Sequence, residues 1–265
     1  MPTLSHLANL MALLFGDRPE TMQLIARNLR EEGLVATGGR GRGGARQEPQ
    51  HIANMIIAAC ASSQVADAAN AVSTFAGLAR LPISAPVTGR GGKSGQIVPR
   101  ELAFAAKSNA KFGDVLAGLV EMASGGGLYT VLMNHAADFV DRDLLRAGAN
   151  AIKGAPRGKK PEVTAELAAT MAAHVQTLID QSVVYLTIGF MRPMPGAKIE
   201  FGTRSEGEAT PMLAVGFGLP PDFVANPRNV PKLNAWRRMD RSHRVTITHK
   251  TLLSIGQAIA AEEGM

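Results

Sequence analysis

Residues 17–35 read Asp17-Arg18-Pro19-Glu20-Thr21-Met22-Gln23-Leu24-Ile25-Ala26-Arg27-Asn28-Leu29-Arg30-Glu31-Glu32-Gly33-Leu34-Val35. Met22, Ile25, Ala26 and Leu29 recur at the spacing of one helix face, so the stretch predicts an amphipathic helix running to about Glu32. Asp17 is the expected cap, Pro19 sits near the first turn where a missing N–H costs little, and Gly33 supplies the stop. With that face turned inward, Thr21, Gln23, Arg27, Asn28 and Arg30 are left for the exposed side. Upstream, Leu4, Leu7, Met11 and Leu14 predict a second helix over 4–15, closed by Gly16. Downstream, Leu34-Val35-Ala36 is a short strand candidate. It leads into Gly38-Gly39-Arg40-Gly41-Arg42-Gly43-Gly44, a basic, glycine-rich loop.

A helix that reads DNA needs a partner helix to hold it, a tight turn between the two, and polar groups facing out. Residues 4–32 supply these parts, and Gln, Asn and Arg are the types that pair with base edges in the major groove. The segment from Ile25 to Val35 resembles the end of the recognition helix and the first wing strand of winged helix-turn-helix regulators. The resemblance covers about forty-five residues and implies a wing with a basic tip in the minor groove, here Arg40 and Arg42, with Arg46 just behind. Its returning segment, Ala45-Arg46-Gln47, is short, so the wing is expected as a loop more than a full hairpin. The Gly-Arg-Gly-Arg-Gly run also shares its physics with the AT-hook. Glycines let the backbone approach the groove floor, and guanidinium groups meet its negative potential. Gly43 stands where a hook has proline, so the likeness stops at the physics.

Beyond this module a third helix is expected from Glu48-Pro49, with Ile52, Met55, Ile56 and Ala59 inward, continuing after a break as 65–78. Prolines at 82, 86 and 99 and the run from Gly89 to Gly95 suggest a linker over 81–99. Gly92-Lys93-Ser94 ends like a phosphate-binding loop, but Val87 occupies the place of its first glycine, which argues against an NTPase. Helical patterns follow over 101–123, from Tyr129 to about Leu145, and from Pro161 to near Asp180. The character then changes. Val183–Ile188, Lys198–Phe201, Leu213–Phe217 and Val245–Thr248 are strand candidates, and a helix over 252–262 follows.

The net charge of +6 permits a polyanionic partner without specifying one. Between 225 and 250 seven cations face a single acid, Asp240. Arg237, Arg238 and Arg241 therefore form a candidate secondary basic surface, with Trp236 either stacking on nucleic acid or anchoring a core. The lone cysteine, Cys60, lies in an apolar run and reads as a buried hydrophobe. The six histidines lack ligand spacing and Asp138, Asp141 and Asp143 read as a solvated face, so neither a metal nor a cofactor is expected. No apolar run approaches a membrane span, and the first residues lack the basic start of a signal peptide, so a cytoplasmic protein is expected.

The resulting expectation is an α+β protein. A mainly helical winged helix-turn-helix module (1–80) would be joined by the linker (81–99) to a mixed domain for oligomerisation or partner binding (100–265). The expected role is sequence-specific transcriptional regulation without catalysis, of a bacterial or phage type. Double-stranded DNA is the expected partner, with a second copy of the chain and transcription or phage-type machinery as further candidates. Two alternatives stand beside it: a DNA-site adaptor for phage-type replication or packaging, and an enzyme with its site in 183–250.

Overall fold

Thr3 opens the first helix, α1 (Leu4–Phe15), because its hydroxyl accepts the His6 amide hydrogen, one of the donors a helix start leaves unpaired. Gly16 closes it at φ +69°, in the left-handed region that glycine adopts without a Cβ penalty. The second helix, α2 (Pro19–Glu31), begins with proline in its first turn. Arg18, not Asp17, holds its N-cap position, and no side chain caps it. At its other end Gly33, also at φ +69°, lets the Leu34 amide reach back to the Leu29 carbonyl at 2.8 Å. The structure, a computed structural model, describes residues 2–37, 45–81, 99–137, 165–205, 208–237 and 243–263.

A reciprocal pair starts α3 (Pro49–Ala61). The Glu48 side chain accepts the His51 amide, and His51 Nδ1 accepts the Glu48 amide at 3.1 Å. Every residue from 52 to 58 is buried, so α3 is enclosed on all sides. It packs on α1, α2, α4 (Ala68–Ala76), α5 (Phe112–Ser124) and the sheet. The expected helix over 65–78 is shorter, since a 3-10 turn at Val65–Asp67 precedes α4. The stretch 101–123 likewise splits into a 3-10 turn, Arg100–Ala106, and α5. Helix α6 (Gly127–Ala137) follows at a bend of 80°, and α7 spans Ala165–Asp180.

Five strands form one antiparallel sheet in the order β1-β4-β3-β2-β5. They are β1 (Ala79–Arg80), β2 (Val184–Arg192), β3 (Gly196–Ser205), β4 (Glu208–Gly218) and β5 (His243–Thr248). Between the last two lie α8 (Pro221–Ala225) and α9 (Val230–Arg237), and α10 (His249–Glu263) closes the described chain. Alternation sends Val184, Leu186, Ile188 and Phe190 of β2 to one face, joined by Ile199, Phe201, Val215, Phe217 and Ile247. The helices cover that face: Phe112 of α5 meets Phe190 and Phe217, both at 5.4 Å between ring centres. On the other face the Arg204 guanidinium lies 5.5 Å from the Tyr185 ring centre.

One hydrophobic cluster runs from Leu7 to Ile259. The stretches 1–80 and 100–265, expected as separate modules, therefore share a core. Ala79 pairs with Gly218, and the Leu78 carbonyl accepts from the Phe112 amide. The expected linker lies outside the described residues except at Leu81 and Pro99. No single helix among the described residues is long and apolar enough to cross a membrane.

Candidate nucleic-acid interface

The five α2 residues expected on the exposed side divide into two groups. Arg27 and Arg30 are exposed, and Arg27 Nε donates to Glu31 one turn on at 2.8 Å. That hydrogen bond and the Glu31 charge raise the Arg27 pKa, so its cation is held more firmly still. Thr21, Gln23 and Asn28 are only half exposed. The Gln23 amide donates to Asn9 Oδ1 at 3.0 Å and lies 3.2 Å from both Ser5 oxygens, tying α2 to α1. Asn28 turns toward α4, where its buried Oδ1 has no hydrogen-bond partner among the described residues. The helix face open to solvent carries Glu20, Leu24, Arg27 and Glu31, with Arg30 beside it.

The two ends of the basic loop are built into the fold by a residue that sequence periodicity does not single out. Gln47 is 0% exposed. Its Oε1 accepts the Ala36 amide at 3.0 Å, and its Nε2 donates to the carbonyls of Ala45 (2.9 Å) and Ala36 (3.3 Å). The Gln47 amide in turn donates to the Pro2 carbonyl at 2.9 Å, and Arg46 bridges to Thr3. Below them Asn54 of α3, 7% exposed, donates to the Leu34 carbonyl at 2.7 Å. Segments 34–36 and 45–47 are thus joined by side-chain amides, and no strand ladder forms between them among the described residues. An asparagine inside the apolar run of α3 was the available signal, because a buried amide must find partners. Arg46 is exposed beside the loop; Arg40 and Arg42 lie outside the described residues.

The second basic region is placed in part. Arg237 ends α9, and Arg238 and Arg241 lie outside the described residues. Trp236 is half buried and stacks on Phe223 at 6.2 Å between ring centres and 16° between planes. The Lys232 ammonium sits 5.1 Å from its ring centre. The indole is therefore held within its own surface cluster.

Cys60 is buried, and burial pushes its thiol well above the ordinary range, which leaves it unreactive at neutral pH. His249 is fully buried between the sheet and α7. Its Nδ1 accepts the Leu186 amide at 3.4 Å while Nε2 faces the Ile179 carbonyl at 3.2 Å, the pattern of a neutral ring. No cluster of three metal-ligating side chains occurs among the described residues. Gly92-Lys93-Ser94, Asp138, Asp141 and Asp143 lie outside them. No family model, no curated protein and no solved structure matches this chain.

Proposed function

We propose that this chain is a sequence-specific DNA-binding regulator of the winged helix-turn-helix type, acting in the cytoplasm without catalysis. Helix α2 would lie in the major groove and the 38–44 loop in the flanking minor groove. The observation that carries the reading is the amide clamp of Gln47. A basic tip can hold a register on DNA only from a fixed base, and this loop springs from one, between the end of α2 and the start of α1. Arg27, Arg30 and Arg46, all exposed, would add phosphate or base contacts around it.

The test is a salt titration with the Arg40→Ala, Arg42→Ala double variant. If each guanidinium displaces a condensed counterion, the slope of log affinity against log salt should flatten by about 1.8, at roughly 0.9 per contact. Loss should be greater at sites flanked by A·T tracts, whose minor groove is narrower and more negative. Base preference should survive, because α2 reads the other groove. An unaltered slope means that the loop is a connector, and the reading fails.

A further inference from the structure

A cavity of about 280 Å³ opens where the helical layer meets the end of the sheet. Asn70, Thr74 and Phe75 of α4 form one wall, and Arg192 with Pro193 and Pro195 forms a second. Trp236 and His243 close the third side, from α9 and the start of β5. Arg192 pairs with His243 across β2 and β5, and it shares the helix-facing side of β2 with Ile188 and Phe190. A cation is thus held at the rim of an apolar core. Its Nε is buried and makes no hydrogen bond, and the guanidinium has no ion pair among the described residues. Nε itself is closed to the cavity, but Arg192 lines the cavity and is only half-buried, so an anion entering would meet a guanidinium without a counter-charge among the described residues. The one acid among the described lining residues, Asp67, is already engaged by the Ser63 hydroxyl at 3.0 Å.

The cavity also fixes the shape of what enters. Trp236 offers a flat indole whose other contacts, Phe223 and Lys232, hold it in place. Phe75 and the two prolines add apolar wall, and Asn70 and Thr74 add neutral polar groups. A single water needs only about 10–15 Å³ of such space, so there is room here for a ligand of several waters' size. One substituted aromatic ring fits within it.

We propose that this cavity binds a small aromatic carboxylate, with the carboxylate on Arg192 and the ring against Trp236. The site does not depend on DNA binding and can be tested without DNA. Trp236 is the only tryptophan in the chain, so intrinsic emission reports on this cavity. Benzoate is the probe and benzamide its neutral isostere, both titrated at constant ionic strength. Benzoate should change Trp236 emission saturably in the millimolar range, and benzamide should bind about tenfold more weakly or worse, since a charge-assisted bond is lost. Arg192→Met should raise the benzoate dissociation constant by about tenfold or more, by the same argument. Thr74→Leu fills the cavity without removing the cation and should abolish the response, which covers an Arg192→Met variant that does not fold. The proposal is overturned by equal binding of benzamide, by an unchanged benzoate response in Thr74→Leu, or by no saturable response in the native chain.

Discussion

Replacing Gln47 by alanine tests the base of the loop directly. The side chain is fully buried and makes three hydrogen bonds, to the Ala36 amide and to the Ala36 and Ala45 carbonyls. A net intramolecular hydrogen bond contributes about 1 kcal/mol, and a buried group left unpaired costs about 1–3 kcal/mol. Water can reach part of the vacated space because Ala36 and Ala45 are half exposed, which favours the lower figure for each bond. The expected loss is therefore about 3 kcal/mol, a large part of the roughly 5–15 kcal/mol that typical domains possess. Urea unfolding followed by far-UV circular dichroism measures it, with the midpoint falling and the slope unchanged. DNA affinity, measured where the variant is still fully folded, should fall with a flatter salt slope, as in the double arginine variant. A stability loss below about 0.5 kcal/mol, the range of ordinary surface substitutions, would sink the clamp argument.

Other outcomes are as specific. Arg27→Ala should leave the melting temperature unchanged, since its partner Glu31 is equally solvated, yet weaken binding to a cognate duplex by about 5- to 100-fold if its base contact is bidentate; unchanged discrimination against a scrambled duplex removes it from base reading. Gly256→Ala should destabilise, by about 1–3 kcal/mol, although alanine normally improves a helix by about 1 kcal/mol, because a Cβ there would collide with the Ala123 carbonyl of α5; a stabilised variant would refute that close approach. Burial pushes the His249 imidazole below its ordinary range, with the Lys250 ammonium acting in the same direction and the Ile179 carbonyl opposing. The unfolded chain then takes up that proton first, so stability should be constant above about pH 6.5 and decline below it by up to about 1.4 kcal/mol per pH unit, until the folded pKa is passed. His249→Gln should flatten that part of the pH profile, and an unchanged profile would show that other groups set it.

What could be read in the sequence follows from which signals are local. The β-branched and aromatic runs at 183–188, 198–201, 213–217 and 245–248 lie within observed strands except for Val183, which precedes β2, and the inward face of α2 is the predicted one. Periodicity names the side opposite a core face, but not what stands at its flanks. Gln23 and Asn28 lie on those flanks, against α1 and toward α4, and so are half covered where exposure was expected. Strand β1 has two residues and no pattern of its own; it exists because β4 offers an edge to Ala79 and Arg80. The shared core was hidden for a similar reason. A proline- and glycine-rich stretch reads as a boundary, yet α3, buried along most of its length, packs on helices from both sides of it. The cavity at Arg192 joins segments more than a hundred residues apart, and no local pattern announces it.

On the proposed reading, the placement of the α2 side chains limits how much sequence one copy can distinguish. Gln23 already serves α1 and Asn28 is turned toward α4, which leaves Arg27 and Arg30 as the long exposed donors on that helix. A bidentate contact discriminates between bases by roughly one to two decades in affinity, so two supply about two to four. A genome offers about six to nine decades of competing sites. The basic loop adds affinity at all of them and, beyond a preference for narrow grooves, little choice among them. One copy therefore falls short as a regulator. Two copies on a palindrome double the decades read, to about four to eight, and require half-sites about 34 Å apart, one helical turn. A specific operator for this chain should thus be two-fold symmetric, and its occupancy should rise with the second power of protein concentration in a footprinting titration. A first-power dependence at a single, asymmetric site would require base contacts that the described face of α2 does not offer.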